Sequence, residues 1–330
     1  MVRTIAVIVV AAVMVLAAPL RAQTDLRVTP ELERAVKRGL DHLAKTQNAD
    51  GSWPGMNGQL SGVVGLAAMA FLAHGEVPDQ GPYGPVIRKA IGYILARQQA
   101  NGLLADNSGS VMYNHGFATL ALAEAYGMID EPRLGPALKK AVGLIVSSQN
   151  HLGGWRYSVN STDADTTVSG AQMLALRAAA NAGIEVPMET IQRAVAFYKR
   201  CFLAGGGFGY VGPDNPSTPR AGIGLLVLSL SGEHRSAEAK ATADWLMNRP
   251  AGREGSYFYY GSYYCSQAML QAGGKYLRAW NQAMTPAILA LQDPGGGWSQ
   301  NSGSEGPLCA TAMALLSLEI NYNYLPIYQR

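Results

Sequence analysis

Charge is scarce in this 330-residue chain: Asp, Glu, Lys and Arg make up 15% of it, and no basic run exceeds the pair Lys139-Lys140. Binding a phosphate backbone needs a concentrated basic face, so no nucleic-acid partner is expected. Phe is rare, at 6 residues, whereas Gly reaches 38, a balance that suits many turns better than a Phe-packed sandwich. Cysteine is limited to Cys201, Cys265 and Cys309, an odd number with no Cys-x-x-Cys pair, so the fold does not depend on disulfides. Each lies in an apolar or aromatic stretch and reads as a small core residue. No strand-like alternation stands out, and no His, Cys and carboxylate set offers metal-ligand spacing, so neither a metal nor another cofactor is expected.

Apolar residues make up 48% of the chain, enough for a sizeable core. The apolar run from Ile5 to Leu16 follows Arg3 and ends before Pro19, with the small residue Ala22 as a cleavage point. Twelve residues are too few to cross roughly 30 Å of hydrocarbon as a helix. Residues 1–22 therefore read as a signal peptide and 23–330 as one exported domain, periplasmic or secreted, with no membrane span after cleavage. An uncleaved anchor is the alternative.

Self-comparison reveals a repeat. Gln47-Asn-Ala-Asp-Gly51-Ser-Trp53 has the form Gln-x3-Gly-x-Trp, and it returns at Gln149, Gly153, Trp155 and at Gln292, Gly296, Trp298. Degenerate copies keep the spacing at Gln98, Gly102, Leu104 and at Phe202, Gly206, Phe208. A sixth is placed within Asn248 to Phe258, with Gly255, Tyr257 and Phe258 as its best candidates. Each period of about 50 residues holds an amphipathic helical pattern followed by an almost wholly apolar one. Leu32, Ala35, Val36, Leu40 and Leu43 exemplify the first, and Gly62 to Ala73 the second. Apolar helices are predicted to start near Ser61, Asn114, Asp165, Thr218, Ser262 and Pro307. The last is as apolar as those in the middle, so it needs cover that an open solenoid end would not give. Closure into a ring gives that cover. The expected fold class is all-α, a single (α/α)6 toroid of six helical hairpins.

The repeat resembles that of squalene–hopene cyclases and the β subunits of protein prenyltransferases, over almost all of residues 30–325. In that superfamily the Gln ties one helix end to the next helix start while packing on the Trp. The stretch Asp163-Ala-Asp165-Thr-Thr167 is similar to the Asp-x-Asp-Asp-Thr motif of class II terpene cyclases. Asp163 matches the first Asp, Asp165 the one that protonates an alkene and Thr167 the Thr, while Thr166 replaces the last Asp. The resemblance thus implies Asp165 as a catalytic acid with Asp163 as its partner. Such chemistry needs an unusually acidic carboxylic acid in a dry apolar cavity. Asp165 also sits where a helix N-cap belongs, and that structural role stands beside the catalytic one. The zinc site of the prenyltransferase branch finds no match: Cys265 follows Tyr263 and Tyr264 rather than Asp, and the last apolar helix offers Pro307 and Cys309 without His.

Three further features bear on ligand binding. Tyr113 and His115 open the second apolar helix, and His115 is either a core His bonded to a carbonyl or a ligand group. Five Tyr crowd residues 257–264, where Tyr260, Tyr263 and Tyr264 suit a cation, a sugar ring or plain packing. Arg156 offers an anchor for an anionic group, or a solvated surface charge. Inner helices of a toroid run parallel, so their N-terminal ends meet at one mouth, where a single pocket is expected to touch Asp165, His115 and at least one of Tyr260, Tyr263 and Tyr264. The expected function is a terpene-cyclase-like toroid that binds an isoprenoid or other apolar ligand, with acid catalysis by Asp165 as its enzymatic form. A polysaccharide-acting toroid and a non-catalytic toroid with a protein partner at one rim are the alternatives.

Overall fold

A computed structural model describes residues 28–105, 109–249 and 257–329. The expected signal segment, residues 1–22, and Gly255 of the expected sixth repeat copy lie outside these. Twelve α-helices account for the described chain: α1 (Pro30–Thr46), α2 (Ser61–His74), α3 (Gly84–Ala96), α4 (Val111–Ala125), α5 (Leu134–Ser147), α6 (Thr166–Asn181), α7 (Met188–Cys201), α8 (Thr218–Leu228), α9 (Ala237–Met247), α10 (Phe258–Ala272), α11 (Gly274–Leu289) and α12 (Gly306–Glu319). Among the described residues the only β pairing is one isolated bridge between Phe202 and Phe208. No described helix is long and apolar enough to cross a membrane.

The two sequence patterns become two layers. The odd-numbered helices bury one stripe each; in α1 it is Leu32, Ala35, Val36, Gly39, Leu40 and Leu43. The even-numbered helices are buried nearly all round, as α2 is from Ser61 to Ala73. Each inner helix packs on the next, and α12 packs on α2, so the inner six close into a ring inside the outer six. Closure hides the apolar α12, which an open superhelix would leave bare.

The Gln-x3-Gly-x-Trp copies are the joints of this ring. The amide of Gln149 donates to Gly153 O (2.8 Å) in its own turn and to Thr190 O (2.9 Å) in the next outer helix. Gln47, Gln98 and Gln292 repeat the arrangement, their second acceptors being Val86 O, Ala137 O and Ala35 O. Since Ala35 belongs to α1, the Gln292 bond fastens the last repeat to the first. Each Trp indole donates 2.8 Å back to a carbonyl ten residues earlier: Trp53 to Leu43, Trp155 to Ile145 and Trp298 to Ile288. Gly296 has φ +94°, and a Cβ there would stand 2.4 Å from Arg38 O, so both conformation and close approach demand glycine.

One element has no counterpart in the repeat. The chain after α12 folds back under the ring as a short 3₁₀ turn, Pro326–Tyr328, which packs on α6 and α10. Ile327 and Tyr328 are buried, and Gln271 donates to Tyr328 O (3.1 Å). This plug fills the end of the ring where the inner helices terminate, against Glu124 and Glu319, both buried carboxyls. The three cysteines are buried and free.

Candidate functional site

The opposite end of the ring, where the inner helices begin, is hollow. A cavity of about 940 Å³ draws wall residues from the starts of all six: Leu60 and Val63 (α2), Tyr113 and Phe117 (α4), Thr167 (α6), Arg220 (α8), Tyr260 (α10) and Cys309 (α12). The parallel inner helices make this convergence unavoidable, and they also turn six positive dipole ends toward one mouth. Tyr157, Tyr210, Tyr257 and Phe258 add aromatic wall. Small-molecule sites commonly enclose roughly 300–1,000 Å³, so the volume suits one sizeable ligand.

An aromatic stack crosses the ring beneath the mouth. Tyr113 and Tyr260 share a hydrogen bond of 2.9 Å between their hydroxyls. Phe117 meets Tyr263 and Tyr264 edge-on or tilted, with ring centroids 6.2 and 6.5 Å away. Burial pushes the Tyr113 and Tyr260 phenols far above their ordinary range, so both are neutral hydroxyls at any working pH.

Of the candidate site residues, Tyr113 and Tyr260 line the cavity, whereas Asp163, Asp165, His115, Arg156, Tyr263 and Tyr264 do not, so the pocket expected to touch Asp165 and His115 is not formed that way. His115 is fully buried between layers: its Nδ1 accepts the Leu104 amide (3.1 Å) and its Nε2 donates to Ala141 O (3.1 Å). Burial lowers its pKa to about 4, so it is a neutral imidazole that ties the loop at Leu104 to the middle of α5. Tyr263 and Tyr264 are fully buried below the cavity, one turn deeper than Tyr260. Tyr259 points outward to Gln300 O (2.9 Å).

Asp165 is the N-cap of α6. Its Oδ1 accepts the amides of Thr167 and Val168 (both 2.8 Å) and the Thr167 hydroxyl (2.6 Å). Its Oδ2 faces Arg156 Nε at 3.2 Å, and the side chain is sealed from solvent. Burial pushes the carboxyl above the usual range, while the Thr167 and backbone hydrogen bonds and the Arg156 charge pull it down. Arg156 also pairs with the largely exposed Asp163 and lies over Tyr157 and Tyr210, each ring centroid 5.2 Å from its guanidinium carbon. The acidic motif thus holds Arg156, and through it two tyrosines of the cavity wall. Thr167 is the member of the motif that reaches the cavity itself.

Two ionisable wall residues, Glu305 and Arg220, escaped the sequence reading. Glu305 precedes α12; its Oε1 accepts the Tyr260 amide (3.3 Å), its Oε2 is buried without a partner, and burial pushes its pKa up to about 8. Arg220 sits in the first turn of α8, with Nε donating 2.9 Å to Ser217 Oγ. Neither belongs to a local motif. Only their register at an inner-helix start could have flagged them. Among the described residues no group of His, Cys, Asp and Glu is placed to hold a metal ion.

No protein-family model matches the chain, nor does any curated protein by sequence. Solved structures do resemble it. An inactive variant of an α-1,6-mannanase from Salegentibacter sp. HEL1_6, in complex with α-1,6-mannotriose, aligns over 89% of this chain and 99% of its own, with a TM-score of 0.68 at 10% identity. A variant of the type II terpene cyclase MstE from Scytonema, in complex with geranylgeranyl dihydroxybenzoate, aligns over 89% and 98%, with a TM-score of 0.62 at 15% identity. Its apo form aligns over 90% and 100%, with a TM-score of 0.62 at 14% identity. At such identities the likeness establishes the fold alone: this chain is an all-helical α/α toroid.

Proposed function

We propose that this protein is an exported toroid of the cyclase and prenyltransferase repeat superfamily that holds an apolar, isoprenoid-class ligand. The observation that carries this reading is the aromatic cavity of about 940 Å³ at the mouth, floored by Tyr113, Phe117 and Tyr260. Chains of isoprene units bury well against such walls, each buried methylene being worth about 0.8 kcal/mol. In this reading Asp165 and Asp163 are positioning residues. They cap α6 and hold Arg156 against Tyr157 and Tyr210, and the cyclase-like motif works as wall support rather than as a proton donor.

A sugar-cleaving role fits the wall less well. Glycoside hydrolysis generally needs two carboxyl groups flanking the scissile bond, roughly 5–10 Å apart. Among the described residues the cavity wall carries one carboxyl, Glu305.

Native mass spectrometry of the purified protein with geranylgeraniol and, separately, with α-1,6-mannotriose tests the reading. One geranylgeraniol per chain is expected to be retained, and no mannotriose. Val63→Trp, which fills the cavity from α2, should abolish retention without lowering helicity. Retention of mannotriose, or of geranylgeraniol equally by the Trp variant, would overturn the proposal.

A further inference from the structure

Among the described residues, two ionisable side chains of opposite sign stand in the cavity wall, and they do not neutralise one another. Arg220 carries five N–H donors. One of these, on Nε, is taken by Ser217 Oγ, and the guanidinium carbon lies 5.9 Å from the Tyr210 ring centroid. No described carboxylate pairs with Arg220, in contrast to Arg156, which Asp163 and Asp165 hold. Glu305 is turned to the Tyr260 amide, and with its pKa at about 8 it is mostly protonated at neutral pH. Among the described wall residues Arg220 is then the one full charge, the rest being aromatic, apolar or neutral polar groups such as Asn57, Asn114, Thr167 and Thr218. The helix ends act in the same direction. Each helix start carries about half a positive charge. Three of the six, those of α2, α4 and α12, receive no side-chain cap that would offset it, while at α10 Glu305 accepts one first-turn amide.

The Arg220 guanidinium is half-buried in this wall with most of its donors unused, and a carboxylate or phosphate engages such a group through two parallel hydrogen bonds. Extending the reading of the cavity as an apolar-ligand site, on which this rests, we propose that the occupant is an anionic amphiphile. Its carboxylate or phosphate head pairs with the Arg220 guanidinium, and its apolar chain lies on Tyr113, Phe117 and Tyr260. The head stays near the mouth because Arg220 lies in the first turn of α8, while the chain runs inward toward Leu66 and Met313.

Isothermal titration of the wild type with geranylgeranyl phosphate, geranylgeraniol and inorganic phosphate tests this, with R220Q and R220K alongside. The phosphate ester is expected to bind about 10- to 100-fold more tightly than the alcohol, the worth of one charge-assisted pair. R220Q should erase that preference, so that ester and alcohol bind alike. R220K keeps the charge without the fork and should retain part of the preference. Should R220Q fail to fold, R220K makes the same comparison, with a several-fold loss expected. Equal binding of ester and alcohol by the wild type would overturn the anionic head yet leave the apolar-ligand reading intact. Failure of both prenyl compounds to bind would overturn both. Inorganic phosphate binding as tightly as the ester would show that the chain contributes nothing, and would also overturn the amphiphile.

Discussion

Tyr113 and Tyr260 join hydroxyl to hydroxyl at 2.9 Å across the full diameter of the ring. Their helices, α4 and α10, stand three places apart in a circle of six, so the bond ties opposite walls rather than neighbours. It sets the depth of the cavity above it and positions Phe117 against Tyr263 and Tyr264 below.

Y113F and Y260F each delete that bond and leave one phenol without its partner. Each is expected to cost about 1 kcal/mol in urea unfolding. The double variant should cost little more than either single one, because the two residues share one interaction. Strictly additive losses would show that the hydroxyls act independently.

At Asp165 cap and charge can be separated. Asn keeps an oxygen for the Thr167 and Val168 amides, whereas Ala removes it. Asp165→Ala is expected to lower stability by about 0.5–2 kcal/mol, and Asp165→Asn by less. Loss of the carboxylate leaves Arg156 held by Asp163 alone in both, so Tyr157 and Tyr210 should show altered near-ultraviolet circular dichroism in both. A prenyl substrate converted by the wild type and not by Asp165→Asn, at unchanged stability, would restore the carboxyl as the acid of the site.

Burial raises the pKa of Glu124 to about 8, against an ordinary 4.5. The charged and titratable neighbours that bear on it are Tyr263 and Tyr328, with Glu319 beyond. Between those two values the folded chain keeps a proton that the unfolded chain has released. Stability must therefore fall as pH rises from about 4.5 and level off above 8. One such group contributes at most about 1.4 kcal/mol per pH unit. Urea midpoints measured from pH 5 to 8 should drop, and Glu124→Gln, which mimics the protonated acid, should flatten the drop. An unchanged slope in that variant would remove Glu124 as its source.

Gln292 holds the seam through Ala35 O and Gly296 O, at 2.8 and 2.7 Å. Gln292→Ala deletes both bonds, leaving Ala35 O with only its helix partner, for an expected loss of about 1–3 kcal/mol. Hydrogen exchange should rise first in α1 and α11, which flank the closure. Uniform acceleration around the whole ring would mean that the seam is no weaker than the other joints.

The layers of this protein were legible in its sequence because they rest on local periodicity. A stripe at helical spacing marks an outer helix, a continuous apolar segment marks an inner one, and a repeat forces like joints to recur. Gln98 shows how far that reaches, since it bonds Ala137 O as its relatives do although Leu104 stands where they have Trp. Closure followed too, from the need to cover α12. Spacing along the chain also put the starts of the inner helices at one end. Which side chains reach the hollow there was decided only by tertiary structure. His115 and Asp165 lie within a few residues of Tyr113 and Thr167, yet a helix turns about 100° per residue, so neighbours in sequence face different layers. Glu305 and Arg220 carry no motif, and they enter the wall because α8 and α12 happen to begin with those residues at that register. The plug at Ile327 and Tyr328 lies outside the repeat altogether. Its place under the ring depends on a contact between the end of the chain and helices far earlier in it, which no local pattern encodes.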